Sequence, residues 1–236
     1  IINAAAYTHV DRAETEHQRA IAINADGPAN LAAAARSVDA RLIHVSTDFV
    51  FDGGSSRPYR PEDTAAPTSA YGLSKLEGER RVTAIGEQRV LIVRTAWLYA
   101  ARGNNFVNTM LKLMRERQEL RVVADQIGTP TWATTLARAL WAAARRPALH
   151  GIYHWTDAGV ASWYDFAVAI QEEALARKLL ARAIPICPIR TEDYPTPAKR
   201  PAYSVLDKTR SVADFDMPLV HWRAALRQMF AELAHG

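Results

Sequence analysis

Short apolar runs alternate along the chain with stretches in which apolar residues recur at helical spacing. The runs RLIHVST (41–47) and RVLIVRT (89–95) are nearly uninterrupted, as strands buried on both faces are. Helical spacing is found at residues 14–37, 69–84, 105–117 and 132–146. We expect a kink or a fresh start at Gly27-Pro28, because proline disrupts a helix interior. The alternation predicts an α/β fold built on a doubly wound parallel sheet.

The pattern changes after about residue 150. A strand, GIYHWT, precedes a helical stretch over 162–180, where Ser162 and Asp165 predict a capping box. The pattern predicts a final helix over about 218–233.

A proline-rich stretch over 184–207 separates these two helices, and prolines do not continue a central sheet. We therefore predict a larger sheet domain at 1–150 and a smaller lobe, mainly for substrate binding, at 151–236. Elements of the lobe are expected to interleave with the sheet domain after about residue 97.

Composition narrows the class of protein. Of the 236 residues, 49% are hydrophobic and 23% charged, and no apolar run is long enough to span a membrane. We expect no signal peptide, and a single cysteine suits a reducing cytoplasm. The net charge of +4 comes without a basic cluster, which disfavours nucleic-acid binding and suits an anionic small substrate.

Three residues carry the strongest chemical signal. Thr47 follows a predicted strand, and ligands of open α/β sheets bind beyond the carboxyl ends of strands. Tyr71 and Lys75 are four residues apart on a predicted helix and share one face. An ammonium close to a phenol lowers the pKa of that phenol, so the pair can exchange a proton with a carbonyl or hydroxyl.

The spacing Tyr-x-x-x-Lys also arises by chance on helix surfaces. Its place downstream of a strand that ends in Ser46-Thr47, after a loop of turn residues, favours the catalytic interpretation.

Several segments in chain order carry a family resemblance: NAAAYTHVDRAE, STDFVFDG, YGLSK, VRTAWLY, DQIGTPT and YHWTDAGVASWYDFA. Together they resemble the extended short-chain dehydrogenase/reductase superfamily with its Rossmann-like sheet. Within it they resemble the dTDP-4-dehydrorhamnose reductase family. The resemblance implies reduction of the C4 keto group of a nucleotide-linked 4-keto-6-deoxy sugar by NADPH or NADH.

The resemblance also implies roles for individual residues. Tyr71 would donate a proton to the C4 oxygen, and Lys75 would lower the pKa of Tyr71 and hold the nicotinamide ribose. Thr47 would tune Tyr71 and contact the substrate. Asp48 and Trp97 would contact the sugar nucleotide. Cofactor contacts are implied for Ala6, Tyr7, Thr8, Ser46, Tyr71 and Lys75.

The residue after Asp48 bears on the reaction. In related dehydratases the catalytic Thr is followed by Asp-Glu, whereas here Phe49 takes the place of the Glu. Reduction is therefore favoured over dehydration. Two alternatives stay open: an epimerase with tightly held NAD, and a non-catalytic regulatory subunit, which the intact Thr47, Tyr71 and Lys75 disfavour.

The remaining candidates have two interpretations each. Arg200 could grip the substrate diphosphate or be a solvated surface residue, and Asn24 could join a proton relay or bind backbone. Asp11 with Glu14 is most simply a helix-capping pair. We predict no metal site in the chain; the resemblance allows Mg²⁺ but assigns no ligands. A homodimer is possible.

No glycine-rich dinucleotide fingerprint occurs in the sequence. We expect the phosphate loop to precede residue 1, as part of about two βα units of roughly 30 residues each. The sheet would then be incomplete at its N-terminus, and these 236 residues alone would bind NADPH poorly. Titration of NADPH fluorescence measures this, and micromolar affinity would contradict the expectation.

Overall fold

The computed structural model describes residues 1–234, so positions 235–236 of the predicted lobe lie outside the described residues. The chain forms two compact units, each built from three segments. The sheet unit comprises 1–95, 138–155 and 196–218, and the helical unit comprises 96–137, 156–195 and the chain from 219 onward. The functional division at residue 150 stays a prediction.

A four-stranded parallel sheet is the centre of the sheet unit. In spatial order its strands are β1 (Ile2–Asn3), β2 (Leu42–Thr47), β3 (Val90–Thr95) and β8 (Gly151–His154). The two longest strands coincide with the two apolar runs, which confirms the prediction of an α/β fold with a parallel sheet. In register, His44 lies between Asn3 and Ile92, and Thr47 lies beside Thr95 at the carboxyl ends of the strands.

Helices of the sheet unit cover the strands. They are α1 (Val10–Ala13), α2 (His17–Ile21), α3 (Gly27–Ser37), α4 (Ala70–Gly86) and α8 (Thr209–Phe215). A π-helical segment, Ala22–Asp26, joins α2 to α3 and ends just before the predicted interruption at Gly27-Pro28. Pro28 is the second residue of α3 and has no N–H to donate, and it lies where the π-helical segment passes into α3.

The contact between α4 and the π-helical segment is too close for a side chain. A Cβ placed on Gly78 of α4 would overlap the carbonyl oxygen of Asn24. Gly78 therefore sets how closely α4, which carries Tyr71 and Lys75, approaches the π-helical segment.

This contact predicts opposite effects for two glycine-to-alanine changes. Gly78→Ala is expected to lower the free energy of unfolding by about 1 to 3 kcal/mol, because overpacking outweighs the higher helix propensity of alanine. Gly27→Ala is the control, because its Cβ would make ordinary contact, 3.5 Å from the Ala22 carbonyl oxygen. That change is expected to raise stability by up to about 1 kcal/mol. Urea denaturation measures both, and a neutral Gly78→Ala would contradict the packing argument.

The helical unit has three two-stranded ladders packed with helices. Its strands are β4 (Leu98–Tyr99), β5 (Leu120–Val123), β6 (Ile127–Gly128), β7 (Thr131–Trp132), β9 (Ala161–Ser162) and β10 (Ile186–Ile189). Its helices include α5 (Phe106–Glu116), α7 (Trp163–Ala176) and α9 (Trp222–Ala234), and α6 spans Ala133–Ala144. The predicted capping box at Ser162 and Asp165 is present at the start of α7.

The proline-rich stretch is more regular than its sequence suggested. Within it, β10 pairs in parallel with β5 and places Pro188 opposite Val122. A proline is tolerated there because β10 belongs to a two-stranded ladder and is therefore an edge strand.

Candidate active site

Thr47 ends β2 and begins the site. A 3₁₀ turn over Asp48–Val50 follows it, and the Thr47 Oγ1 accepts a hydrogen bond from the Phe49 N–H at 3.1 Å. The same hydroxyl donates to the Asp48 Oδ1 at 3.0 Å and lies close enough to the Tyr71 phenol to lower the pKa of that phenol. The hydroxyl, the carboxyl and the phenol are therefore neighbours at the carboxyl end of the strand.

Tyr71 is held at the start of α4. The Ser69 hydroxyl caps this helix by accepting from the Gly72 N–H at 3.2 Å, and the Glu14 carboxylate accepts from the Ala70 N–H at 2.8 Å. A Cβ on Gly72 would overlap the carbonyl oxygen of Phe49, so glycine allows the helix start to meet the turn after β2. These contacts bring Tyr71 beside Thr47.

Burial dominates the acidity of Tyr71. It raises the pKa of the phenol to about 12, while the Thr47 hydroxyl opposes the rise and the Asp48 charge adds to it. The sequence predicted a pKa lowered by Lys75, and this prediction is wrong for the ligand-free protein. Its phenol is protonated at neutral pH, as a proton donor must be.

Lys75 lies one turn further along α4 and is directed at β2. Its Nζ donates to the Val45 carbonyl oxygen at 2.8 Å and is 3.5 Å from the His44 Nε2. Burial lowers the pKa of this amine to about 8, and the charge of Glu79 acts in the opposite direction. The amine is therefore mostly protonated at pH 7 and close to its titration point.

Asp48 is buried, and burial raises the pKa of its carboxyl from 3.8 to about 6. The folded protein thus binds this proton more tightly than the unfolded chain. As a result, the Asp48 contribution to stability falls as pH rises from about 4 to about 6.

Asp48→Asn is therefore expected to raise the free energy of unfolding at pH 7 by up to about 3 kcal/mol, with the gain vanishing near pH 4. Asp52→Asn is the matched control with the opposite sign. The Tyr59 hydroxyl donates to Asp52 at 2.6 Å and lowers the pKa of that carboxyl. Loss of the Asp52 carboxylate should therefore lower the free energy of unfolding at pH 7. Urea unfolding between pH 4 and 8 measures both, and a gain that is constant with pH would contradict the assignment to Asp48.

The loop after β1 is shaped by Asn24. The Asn24 Oδ1 accepts from the Tyr7 N–H at 2.8 Å, and its Nδ2 donates to the Tyr7 carbonyl oxygen at 3.1 Å and to the Ser74 hydroxyl at 2.9 Å. Of the two interpretations of Asn24, the structure thus shows the backbone bond. Tyr7 packs in the same apolar cluster as Tyr71, while Thr8 is exposed.

Ser46 belongs to a buried charged network. Its hydroxyl donates to the Glu79 Oε1 at 2.5 Å, and the Arg94 guanidinium binds the same carboxylate through two hydrogen bonds of 2.9 and 2.7 Å. The side chains of Arg94 and Glu79 are each 3% exposed. The Ser46 hydroxyl therefore already has a hydrogen-bond partner in Glu79, and its predicted contact with the cofactor stays a prediction.

Arg200 and Asp11 form an ion pair. The two terminal nitrogens of Arg200 bind the Asp11 carboxylate at 3.1 and 2.8 Å. The expectation that Asp11 and Glu14 cap their own helix is therefore wrong, since α1 has no side-chain cap and Glu14 instead binds the start of α4. Contact between Arg200 and a diphosphate stays a prediction.

Trp97 belongs to the helical unit and has a strained backbone. Its φ is 48°, a region that bulky residues rarely adopt. Its ring stacks on Trp163, with ring centroids 3.5 Å apart, and both side chains are partly exposed. Gly128 packs against the Trp97 ring, and the Phe106 ring packs against Trp163. Substrate contact by Trp97 stays a prediction.

Two polar residues of this region escaped the sequence reasoning, although each left a signal. His44 is the polar interruption of the apolar run of β2, and Glu79 lies four residues after Lys75 on the same helix face. Both are buried and contribute to the surroundings of Lys75.

Two kinds of feature are absent from residues 1–234. No group of three or more His, Cys, Asp or Glu in this range could hold a metal ion, so Mg²⁺ has no support from a ligand cluster. No helix in the same range is long and apolar enough to cross a membrane.

Comparison with known proteins gives consistent matches. A family model described as the RmlD substrate binding domain matches residues 1–235. The dTDP-4-dehydrorhamnose reductase of Aggregatibacter actinomycetemcomitans is 45% identical over 236 residues, which cover 98% of this chain and 80% of that protein.

Solved structures agree with the sequence matches. A dTDP-4-dehydrorhamnose reductase from Clostridium acetobutylicum is 43% identical, with a TM-score of 0.91 over 98% of this chain and 80% of that one. A dTDP-4-dehydrorhamnose reductase from Bacillus anthracis, solved in complex with NADP, is 38% identical, with a TM-score of 0.91 and the same coverage.

Proposed function

Because this chain belongs to the dTDP-4-dehydrorhamnose reductase family, we propose that it reduces the C4 keto group of dTDP-4-dehydrorhamnose to give dTDP-L-rhamnose. The observation that carries the proposal is the cluster of Thr47, Asp48 and Tyr71 at the carboxyl end of β2. A protonated phenol at this place is the acid that a carbonyl reduction requires.

The reduction adds a hydride to C4 and a proton to its oxygen. A bound reduced nicotinamide would supply the hydride. The Tyr71 phenol donates the proton, and the Thr47 hydroxyl would turn from Asp48 to donate to the phenolate that forms. The raised pKa of Tyr71 keeps it protonated until the substrate oxygen gains negative charge. Lys75, one helical turn after Tyr71, would support Tyr71 and hold the nicotinamide ribose.

The loop after β1 fits a flat ligand. Ala4 and Ala5 are small and exposed, and the backbone of Tyr7 is fixed by Asn24. Small side chains on a rigid backbone allow close approach, which supports cofactor contact by Ala6, Tyr7 and Thr8. We infer NADPH as the cofactor, because the Bacillus anthracis relative was solved with NADP.

Phe49 supports reduction over dehydration. Its ring packs edge-on against Tyr71, with ring centroids 5.5 Å apart. A hydrocarbon side chain in this position can neither donate nor accept the second proton that elimination of water needs. The epimerase alternative involves no net consumption of NADPH, so the assay below separates it from reduction.

The test uses the protein expressed from its complete coding sequence. With dTDP-4-dehydrorhamnose and NADPH, absorbance of the reduced nicotinamide should fall in step with formation of dTDP-L-rhamnose, identified by NMR. Absence of turnover with intact binding to a partner enzyme would favour a regulatory subunit. Interconversion of sugars without net oxidation of NADPH would favour an epimerase.

Substrate contacts of Asp48, Trp97 and Arg200 belong to the same proposal. Arg200 would reach a diphosphate only by sharing or leaving Asp11, so its contribution should appear in the KM for the sugar nucleotide.

We also propose a cytoplasmic homodimer without nucleic-acid or membrane partners. Light scattering measures the oligomeric state.

A further inference from the structure

The amine of Lys75 lies next to a second titratable group, the imidazole of His44. The Lys75 side chain is 1% exposed, and the His44 imidazole beside it is fully buried. The His44 Nε2 is 3.5 Å from the Lys75 Nζ. Proton transfer from Tyr71 does not by itself require an imidazole at this place.

The neighbours of His44 fix its tautomer. The Asn3 Oδ1 accepts from the Ala5 N–H at 3.1 Å, so the amide nitrogen of Asn3 faces the His44 Nδ1, at 3.0 Å. That nitrogen is a donor, so Nδ1 is the acceptor, and the proton of the neutral imidazole is on Nε2.

The Nε2–H therefore points toward the Lys75 amine. An ammonium has three donors and no acceptor, whereas a neutral amine has a lone pair that can accept this hydrogen bond. Burial, together with the Lys75 charge, lowers the pKa of His44 to about 3, so the imidazole is neutral at physiological pH. His44 thus favours the neutral amine without adding a charge.

Other charged groups around Lys75 have partners of their own, although that of Asp48 is the neutral Thr47 hydroxyl. Glu79, one turn further along α4, favours the ammonium but is itself neutralised by Arg94 of β3. The elements that pack on α4 carry four further carboxylates: Glu14, Glu16, Asp26 and Asp48. Among these, Glu14 binds the Ala70 N–H and Asp26 pairs with Arg81. His44 is the titratable group that approaches the amine from β2, beside the Val45 carbonyl oxygen, which accepts a hydrogen bond from the amine at 2.8 Å.

We propose that Asn3 and His44 form a positioning pair for Lys75, in which Asn3 fixes the imidazole proton on Nε2, and this N–H can donate only to the neutral amine and so favours loss of the Lys75 proton. The part of this inference that concerns the reaction rests on the function proposed above. The tautomer and the protonation of Lys75 are properties of the ligand-free protein and are tested independently of it.

The first experiment reads the tautomer directly. Nitrogen-15 NMR of histidine-labelled, ligand-free protein should show an unprotonated Nδ1 and a protonated Nε2 for His44 between pH 6 and 8. Signals of His44 and His154 are assigned with His154→Phe. An Nδ1–H tautomer, or a charged imidazole near pH 6, would overturn the proposal.

The second experiment reverses the tautomer. Asn3→Asp keeps an acceptor for the Ala5 N–H but offers His44 an acceptor in place of a donor. The imidazole proton should move to Nδ1, and the Nε2 lone pair should then accept from the ammonium. The pKa of Lys75, read by carbon-13 NMR of its Cε, should rise by about one unit or more, and the alkaline limb of kcat/KM should follow. An unchanged pKa of Lys75 would overturn the proposal.

Two controls separate the imidazole from the added charge. Asn3→Asp in a His44→Phe background retains the carboxyl but lacks the imidazole, so the shift should largely disappear, and an equal shift would overturn the proposal. His154→Phe removes a second fully buried imidazole, which contacts the Tyr59 carbonyl oxygen. His154→Phe should leave the pKa of Lys75 unchanged. If the enzyme does not oxidise NADPH, the NMR results still decide the inference.

Discussion

Tyr71→Phe is expected to lower kcat for NADPH-dependent reduction by about 10² to 10⁴-fold, because general acid catalysis contributes this much to a rate. The change removes one oxygen and keeps the ring against Phe49, so the fold should persist. Since the phenol acts in the transition state, KM should change much less than kcat. Steady-state kinetics with dTDP-4-dehydrorhamnose measures both.

Tyr153→Phe is the matched control for this experiment. Tyr153 is also buried, and its hydroxyl donates to the Asp214 carboxylate at 2.7 Å. Loss of that hydrogen bond should cost about 1 kcal/mol of stability and leave kcat unchanged. Near-normal turnover by folded Tyr71→Phe would contradict the assignment of Tyr71 as the proton donor.

Glu79→Ala is expected to lower the free energy of unfolding by about 3 to 5 kcal/mol, because it leaves the Arg94 guanidinium buried without its counter-charge. It also removes the acceptor of the Ser46 hydroxyl. Thermal and urea denaturation measure the loss. The double variant Glu79→Leu/Arg94→Met removes both charges and should be far more stable than Glu79→Ala.

Glu77→Ala is the control on the same helix. Glu77 pairs with Arg81 in an i, i+4 contact in which both side chains are about one-third exposed, 35% and 37%. Removal of such a pair costs about 0.3 to 0.5 kcal/mol. Equal losses for Glu77→Ala and Glu79→Ala would show that the buried network contributes no more than an exposed pair.

The features that could be predicted from the sequence are those that depend on residues close together in the chain. Uninterrupted apolar runs predicted β2 and β3, and Ser162 with Asp165 predicted the start of α7, because strand burial and helix capping depend on residues close in sequence. The cluster of Thr47 and Tyr71 followed from the general position of ligands at strand ends together with helix periodicity.

The features that escaped prediction depend on residues far apart in the chain. Asp11 and Arg200 are 189 positions apart, and Glu14 binds a backbone N–H 56 positions later. Periodicity does not identify such partners, because a carboxylate that caps its own helix and one that caps another have the same local sequence. The raised pKa of Tyr71 has the same origin, since burial is a property of the whole fold.

Because Asn24 holds the loop after β1, the conformation of that loop depends little on the residues of the loop itself. One side chain from a neighbouring π-helical segment holds the backbone of Tyr7, so Ala4, Ala5 and Ala6 need not encode their own conformation. Substitutions among these three positions can therefore alter what the loop accommodates while its path is kept. Deletion of one residue of Ala22–Asp26 other than Asn24 would shift Asn24 along and around the helix, and so release a loop whose own residues were untouched.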